Sequence, residues 1–199
     1  MNTSKRFGQI GDLKEMQLVD SHKAKVTGLK IADLSFIPRF GVKGADAASW
    51  LDSQSIPIPD RPNSWRTLSK GGIIARLGIS EFLIEDREIA PQLILRSKFP
   101  PAKVYPVLRY DLAIALIGTK VNELLLQTCS FNFQALTLAE NPVILTSIAG
   151  VNVTVIPGFQ EQPFYKIWCD GTFGAYLGET LNDFAHELGG SAIDVKTLP

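Results

Sequence analysis

Side chains able to carry chemistry are few in this chain of 199 residues, and they are scattered. There are two histidines, His22 and His186, and two cysteines, Cys129 and Cys169. A metal centre needs three or four convergent ligands, and four residues so far apart argue against one. Two cysteines also make no disulfide framework. A nucleophilic cysteine needs a neighbouring base or a positive environment to lower its pKa. Cys129 follows an apolar helical stretch, the usual setting of a small buried hydrophobe, and Cys169 stands between Trp168 and Asp170 with no histidine nearby. His186 falls outside the apolar stripe of its segment and reads as surface, while His22 falls in a polar arm. Two carboxylate pairs could share acid–base work: Glu85 with Asp86, and Asp183 with Glu187 at i, i+4. The first pair ends an apolar strand and is expected to face water. The second lies on the polar side of a helix, where solvent screens like charges.

Residues 69–84, SKGGIIARLGISEFLI, carry the glycines that a phosphate-cradling loop would use. A dinucleotide fingerprint requires G-x-G-x-x-G between strand and helix, and a P-loop requires GK[ST]. Gly71, Gly72 and Gly78 fit neither spacing, and Ile79, Phe82 and Ile84 continue as strand. The segment reads as a hairpin with strands to Leu77 and from Glu81, turning at Gly78–Ser80. The aromatic set Phe159, Phe164, Tyr165, Trp168, Phe173 and Tyr176 is read first as core around the last strand and helix, and second as a subunit interface.

The elements that must position these residues follow from spacing. Residues 1–28 are polar and read as an N-terminal arm, and 191–199 as a C-terminal tail. Between them, 29–190 reads as a single domain. Ile31, Phe36, Ile37, Phe40 and Val42 are strand-like, with Pro38 suggesting an edge or bulge. Ala47, Trp50 and Leu51 recur at helical spacing behind Gly44 and Asp46. Pro57, Pro59 and Pro62 mark a surface excursion, and a helix fits 87–96 with Pro91 in its first turn. Val104 to Ile117 reads as a strongly apolar strand-like run. Thr119 is placed to cap a further helix carrying Val121, Leu124 and Leu125. An apolar pair of segments flanks Ala149–Gly150, and a final helix carries Tyr176, Leu177, Leu181, Phe184 and Leu188 before Gly189 and Gly190. The halves overlay: Gly44 with Gly118, Ala47 with Val121, Trp50 with Leu124, Leu51 with Leu125, then Gly78 with Gly150 and Leu83 with Val155. This predicts an α+β fold made of a duplicated unit of antiparallel sheet plus helices, with repeats over about 29–100 and 101–190.

Composition narrows the function. The chain is 45% hydrophobic, enough for a substantial core, and Lys+Arg equal Asp+Glu at 20 each. A protein living on phosphate contacts would carry a basic excess, so nucleic acid is not expected as a partner. Zero net charge also gives little repulsion against association, which suits a subunit. The first residues lack the apolar stretch of a secretory signal, and the longest apolar run is far below the roughly 20 residues of a bilayer span. The expectation is a cytoplasmic protein with no membrane partner.

The runs GVKGADAASWL, GGIIARLGISEFLIE, IGTKVNELLLQTCSFNF and YKIWCDGTFGAYLGETL, in that order, closely resemble the gamma subunit of heterotetrameric sarcosine oxidase and its relatives, including N-methylglutamate dehydrogenase-type complexes. The resemblance spans about residues 36 to 189. It implies the fold of the folate-binding domain of glycine-cleavage aminomethyltransferase, in which two repeats exchange their first strands. In those transferases an acidic pair on the strand corresponding to Ile73–Leu77 acts on the folate-bound one-carbon unit. Here that place holds Ala75 and Arg76, neither able to accept a proton at neutral pH, and the glutamate that grips the pterin has no counterpart. The resemblance thus implies a noncatalytic subunit with no catalytic, cofactor-binding or metal-binding residues. It would serve assembly in a complex that oxidises an N-methyl amine such as sarcosine and passes the one-carbon unit to tetrahydrofolate. FAD, FMN, NAD, tetrahydrofolate and zinc would belong to the partner subunits, and this chain would dock with the large flavoprotein ones. The alternative is a free-standing folate or small-molecule binding protein of the same superfamily without transferase activity.

Overall fold

A computed structural model of the chain describes residues 28–158 and 163–193. The arm expected over 1–28 lies outside these residues except for Gly28. The first strand, β1 (Lys30–Asp33), ends where the Asp33 carboxylate accepts the Ser35 N–H at 2.7 Å and turns the chain. Pro38 then sets an extended entry into β2 (Arg39–Lys43). The sequence suggests an edge or bulge at Pro38. The structure instead uses this turn to carry the chain from one sheet to another, and both flanking strands are interior to their sheets.

Helix α1 (Ala47–Ser53) follows, then β3 (Ser64–Thr67), β4 (Ile73–Arg76), β5 (Glu81–Glu85) and α2 (Ile89–Arg96), whose Pro91 sits in the first turn as expected. Next come β6 (Tyr105–Val107), β7 (Leu112–Ile117), α3 (Val121–Thr128), β8 (Ile144–Ile148), β9 (Val151–Gly158), β10 (Phe164–Cys169), α4 (Gly174–Glu187) and β11 (Ser191–Ile193). The run 104–117 is therefore two strands in two different sheets. Residues 191–193, assigned to the tail from sequence, pair in parallel with β1. Thr119 caps nothing in α3; its hydroxyl accepts the Gly28 N–H at 3.2 Å. Gly189, at φ 72°, closes α4 as a C′ glycine should.

The strands form a six-stranded sheet, β11-β1-β7-β10-β9-β8, and a five-stranded sheet, β3-β4-β5-β2-β6. Every pairing is antiparallel except β1 with β11. Alternation along the strands sorts the buried residues into layers. Ala32, Ala113, Ala115, Ile117, Ile156 and Trp168 from the larger sheet meet Ile73, Ala75 and Leu83 from the smaller one, so the sheets pack face to face. α1 and α2 cover the far side of the smaller sheet through Trp50, Leu51, Ala90 and Leu93 against Val42, Ile74 and Phe82. α3 and α4 cover the far side of the larger sheet through Leu124, Leu125, Leu177 and Leu181 against Ile114, Leu116 and Val155. The order of layers is helices, sheet, sheet, helices.

The duplication is plain in the topology. The order β3-β4-β5-β2-β6 in one sheet matches β8-β9-β10-β7-β1 in the other, with β11 added at one edge. The first strand of each half thus belongs to the other half's sheet. The overlay of Gly44 on Gly118 is reproduced down to the backbone, at φ 126° and 119°. The later overlay is not. Phe82 pairs with Val42 and Tyr165 with Leu116, so β5 corresponds to β10, not to the β9 segment following Gly150. Gly78 and Gly150 are turns of non-equivalent hairpins, because the second half is longer between α3 and β8.

Candidate functional site

The site grows from Arg39, buried at the start of β2. Its Nη1 and Nη2 groups reach the carbonyl oxygens of Leu34 (3.4 Å), Ser35 (3.1 Å) and Asp111 (2.7 Å). Those carbonyls lie on the two crossovers that exchange the first strands, 34–38 and 108–111. The first crossover is also tied to the start of β7, as the Leu34 N–H donates to the Ala113 carbonyl and the Ala113 N–H to the Ser35 hydroxyl. On its other side Arg39 faces Glu85 at 3.5 Å.

Glu85 is 2% exposed, at the end of β5 on the face turned to the other sheet. It accepts from the Lys166 ammonium at 2.8 Å and from the Trp168 indole N–H at 2.6 Å, both on β10. Its neighbour Asp86 is also buried and accepts the N–H groups of Glu88 and Ile89 at 2.8 and 2.6 Å, which caps α2. A Cβ at Gly72 would overlap the Asp86 carboxylate, so that glycine serves close approach. The expectation that Glu85 and Asp86 face water is therefore wrong: one carboxylate ties the sheets together and the other holds a helix end.

Beside this cluster a cleft of about 570 Å³ opens at one end of the intersheet layer. Its lining includes Leu83 and Trp168 from the intersheet layer, Thr146 and Asn152 from β8 and β9, and Arg109 and Asp111 from the crossover. Asp111 carries the electrostatics. Its Oδ2 lies 3.7 Å from the Arg39 Nε, and its Oδ1 lies 3.9 Å from the Arg109 Nη1, while the Arg109 Nη2 donates to Glu81 at 3.2 Å. These are long contacts, and Asp111 Oδ2 and the Nε atoms of both arginines are buried with no hydrogen-bond partner among the described residues. Burial raises the Asp111 carboxyl above its ordinary value; Arg109 and Arg39 oppose the rise and Asp170 adds to it. Asp170 itself is held low by hydrogen bonds from the Thr172 hydroxyl and N–H. Burial, with Asp111 and Asp170 beside it, pushes the Cys169 thiol up to about 11. The cleft thus offers a carboxylate flanked by guanidiniums and a protonated thiol, a set suited to holding a polar group and without an activated nucleophile.

The other residues singled out from sequence are dispersed. Cys129 is buried in the α3–α4 layer, its sulfur 3.6 Å from the Thr146 hydroxyl. His186, Asp183 and Glu187 are exposed on α4, and His22 lies outside the described residues. No three His, Cys, Asp or Glu side chains converge as possible metal ligands among the described residues. The aromatic set divides. Tyr165 and Trp168 are buried, Tyr165 donating to Asn122 at 3.0 Å, whereas Phe173 and Tyr176 are exposed and Phe159 lies outside the described residues. Ala75 is fully buried between the sheets. Arg76 points away from the cleft, donating to the carbonyls of Pro59, Asp60, Gly78 and Ile79 at 2.8–3.3 Å, and so fastens the proline-rich excursion to the β4–β5 turn. Sequence reasoning passed over Arg39, Arg109 and Asp111. The one signal it had was the charged pair Arg109 and Asp111 directly ahead of the apolar strand β7.

No family model matches the chain, and no curated protein matches it by sequence. Solved structures do. A chain of the heterotetrameric sarcosine oxidase from Corynebacterium sp. U-96, solved in complex with pyrrole 2-carboxylate, matches with a TM-score of 0.64 at 19% identity. That match covers 85% of this chain and 91% of that one. The glycine cleavage system aminomethyltransferase T of Bartonella henselae matches with a TM-score of 0.62 at 14% identity, over 84% of this chain. This chain spans about half of that protein's length, 48%. What these likenesses establish is the fold: an α+β, duplicated, antiparallel arrangement of the aminomethyltransferase-like kind.

Proposed function

We propose that this chain is a noncatalytic, gamma-type subunit of a sarcosine oxidase-like heteromeric flavoenzyme, acting in assembly. The observation that carries this reading is the state of the β4 strand. Where the resemblance calls for a proton-handling acid, Ala75 is packed into the intersheet layer and Arg76 spends its guanidinium on four backbone carbonyls. Those two residues do not fit a site that handles a folate-bound one-carbon unit, and no step of that kind is assigned to this chain. The extent of the likeness supports the reading too, since nearly the whole of the sarcosine oxidase chain is matched and only half of the transferase. On this reading residues 29–190 act as one folate-binding-like domain of two repeats. The partner subunits carry the flavins, NAD, zinc and tetrahydrofolate, and the assembly works in the cytoplasm on an N-methyl amine.

Co-expression with the large flavoprotein subunits of such a complex tests it. The expected result is a single species in size-exclusion chromatography that contains this chain and bound flavin. A chain that elutes alone under all conditions sinks the proposal. If that lone chain also binds tetrahydrofolate saturably in calorimetry, the cleft beside Asp111 favours the second reading, a free-standing small-molecule binding protein.

A further inference from the structure

The end of α2 and the loop after it combine exposed apolar surface with unpaired positive charge. α2 turns Ala90 and Leu93 inward and leaves Ile94 and Leu95 outward, Leu95 at 62% exposure. The helix stops at Ser97, whose N–H donates to the Leu93 carbonyl and whose hydroxyl donates to that of Ile94. Phe99 follows at 93% exposure, directly ahead of Pro100 and Pro101. Two prolines in succession fix φ, so the ring is presented on a stiff stretch of backbone and loses little freedom when it is covered. From Ile89 to Tyr110 the sequence has no Asp or Glu, yet it carries Arg96, Lys98, Lys103 and Arg109, in a protein whose net charge is zero. Arg109 is occupied by Glu81, and Arg96 bonds the Gln54 side chain at 2.8 Å. Lys98 and Lys103 make no ion pair among the described residues.

We propose that Leu95 and Phe99, framed by Lys98 and Lys103, form a docking surface for a partner protein that offers an apolar pocket rimmed with carboxylates. This rests on the reading of the chain as a subunit. A protruding aromatic anchored in a desolvated pocket, with charges at the rim, is the arrangement that concentrates binding energy in few residues. The unpaired lysines supply the complementarity that makes the partner acidic and speeds its approach. A lipid surface fits less well, because α2 has only eight residues and exposes a small apolar area.

The test uses the full chain and the purified flavoprotein large subunits, with binding measured at two salt concentrations. Phe99→Ala is expected to weaken binding by about tenfold or more. The double change Lys98→Glu and Lys103→Glu is expected to slow association and remove most of its salt dependence. Thermal melting of both variants should match the parent, since the altered side chains are exposed. Parent-like affinity in the Phe99→Ala variant overturns the docking surface and leaves the subunit reading intact. Absence of binding by the unaltered chain overturns both. Self-association that depends on Phe99 in sedimentation makes the occupant a second copy of this chain, and also overturns the proposal.

Discussion

Arg39 and Glu85 show how much a single buried ion pair can organise. Glu85 takes Lys166 and Trp168 from the opposite sheet, and Arg39 takes the carbonyls of both crossovers, so the pair joins everything that the strand exchange brings together. Buried charges of this kind are weak evidence for stability but are expensive to leave unpartnered. Asp111 is the less satisfied member of the neighbourhood. Because burial raises its carboxyl, the folded state keeps the proton to a higher pH than the unfolded chain does. The stability this group contributes is complete below its ordinary value and is lost as the pH rises through the raised one. Asp111→Asn should remove that dependence. Between about pH 4 and about pH 7, the urea midpoint of the parent should fall relative to that of the variant. Parallel midpoint curves would show that Asp111 does not titrate in this way. None of this was legible in the sequence. Glu85 meets Lys166 across 81 positions, and a strand-end carboxylate looks the same whether it ends in water or in a sheet-to-sheet contact.

Elements were legible where a local rule decides them. The i, i+3, i+4 apolar spacing located α1, α3 and α4, and the glycine preceding each of the first two marks a real backbone demand. Gly44 donates to the Ser80 carbonyl and accepts from the Ala47 N–H at 3.1 Å; Gly118 donates to the Pro163 carbonyl and accepts from the Val121 N–H at 3.3 Å. Each turns the chain from an interior strand, β2 or β7, into a helix at a φ near 120° that a side chain opposes. At Gly44 an added Cβ would also overlap the Lys103 carbonyl. Gly118→Ala should therefore cost about 1–3 kcal/mol from strain, and Gly44→Ala more than that, measured by urea denaturation. A loss below about 0.5 kcal/mol at either site would contradict the equivalence of the two turns. The run 104–117 was not legible as two strands. The chain leaves one sheet and enters the other between Leu108 and Asp111, where Arg109 and Asp111 interrupt the apolar run and Leu108 and Tyr110 are exposed; with apolar residues on both sides, so short an interruption reads as a variation within one strand.

At the scale of the molecule, strand exchange makes the halves inseparable although the sequence repeats. β1 is needed beside β7, and β6 is needed beside β2. Without its borrowed strand each sheet would expose the backbone edge of the strand beside it, β7 or β2. The intersheet layer needs both halves as well, because Ile73, Ala75 and Leu83 find their cover in Ala113, Ala115, Ile156 and Trp168. A chain cut between Pro100 and Pro101 keeps every helix with the strands that precede it, yet it leaves each fragment holding the other's first strand. The two fragments, each prepared alone, should unfold without a cooperative transition. Mixed, they should associate one to one and regain the near-ultraviolet dichroism of Trp168, which only the reunited interior holds against Glu85. Fragments that each melt cooperatively would mean that the repeats are self-sufficient. The intersheet layer would then be an interface between two small domains, and the cleft at its end could open and close as they moved. Obligate reassembly means instead that the cleft walls are fixed by a single shared core, leaving the outer surfaces, with Phe99 among them, as the part of the molecule free to meet a partner.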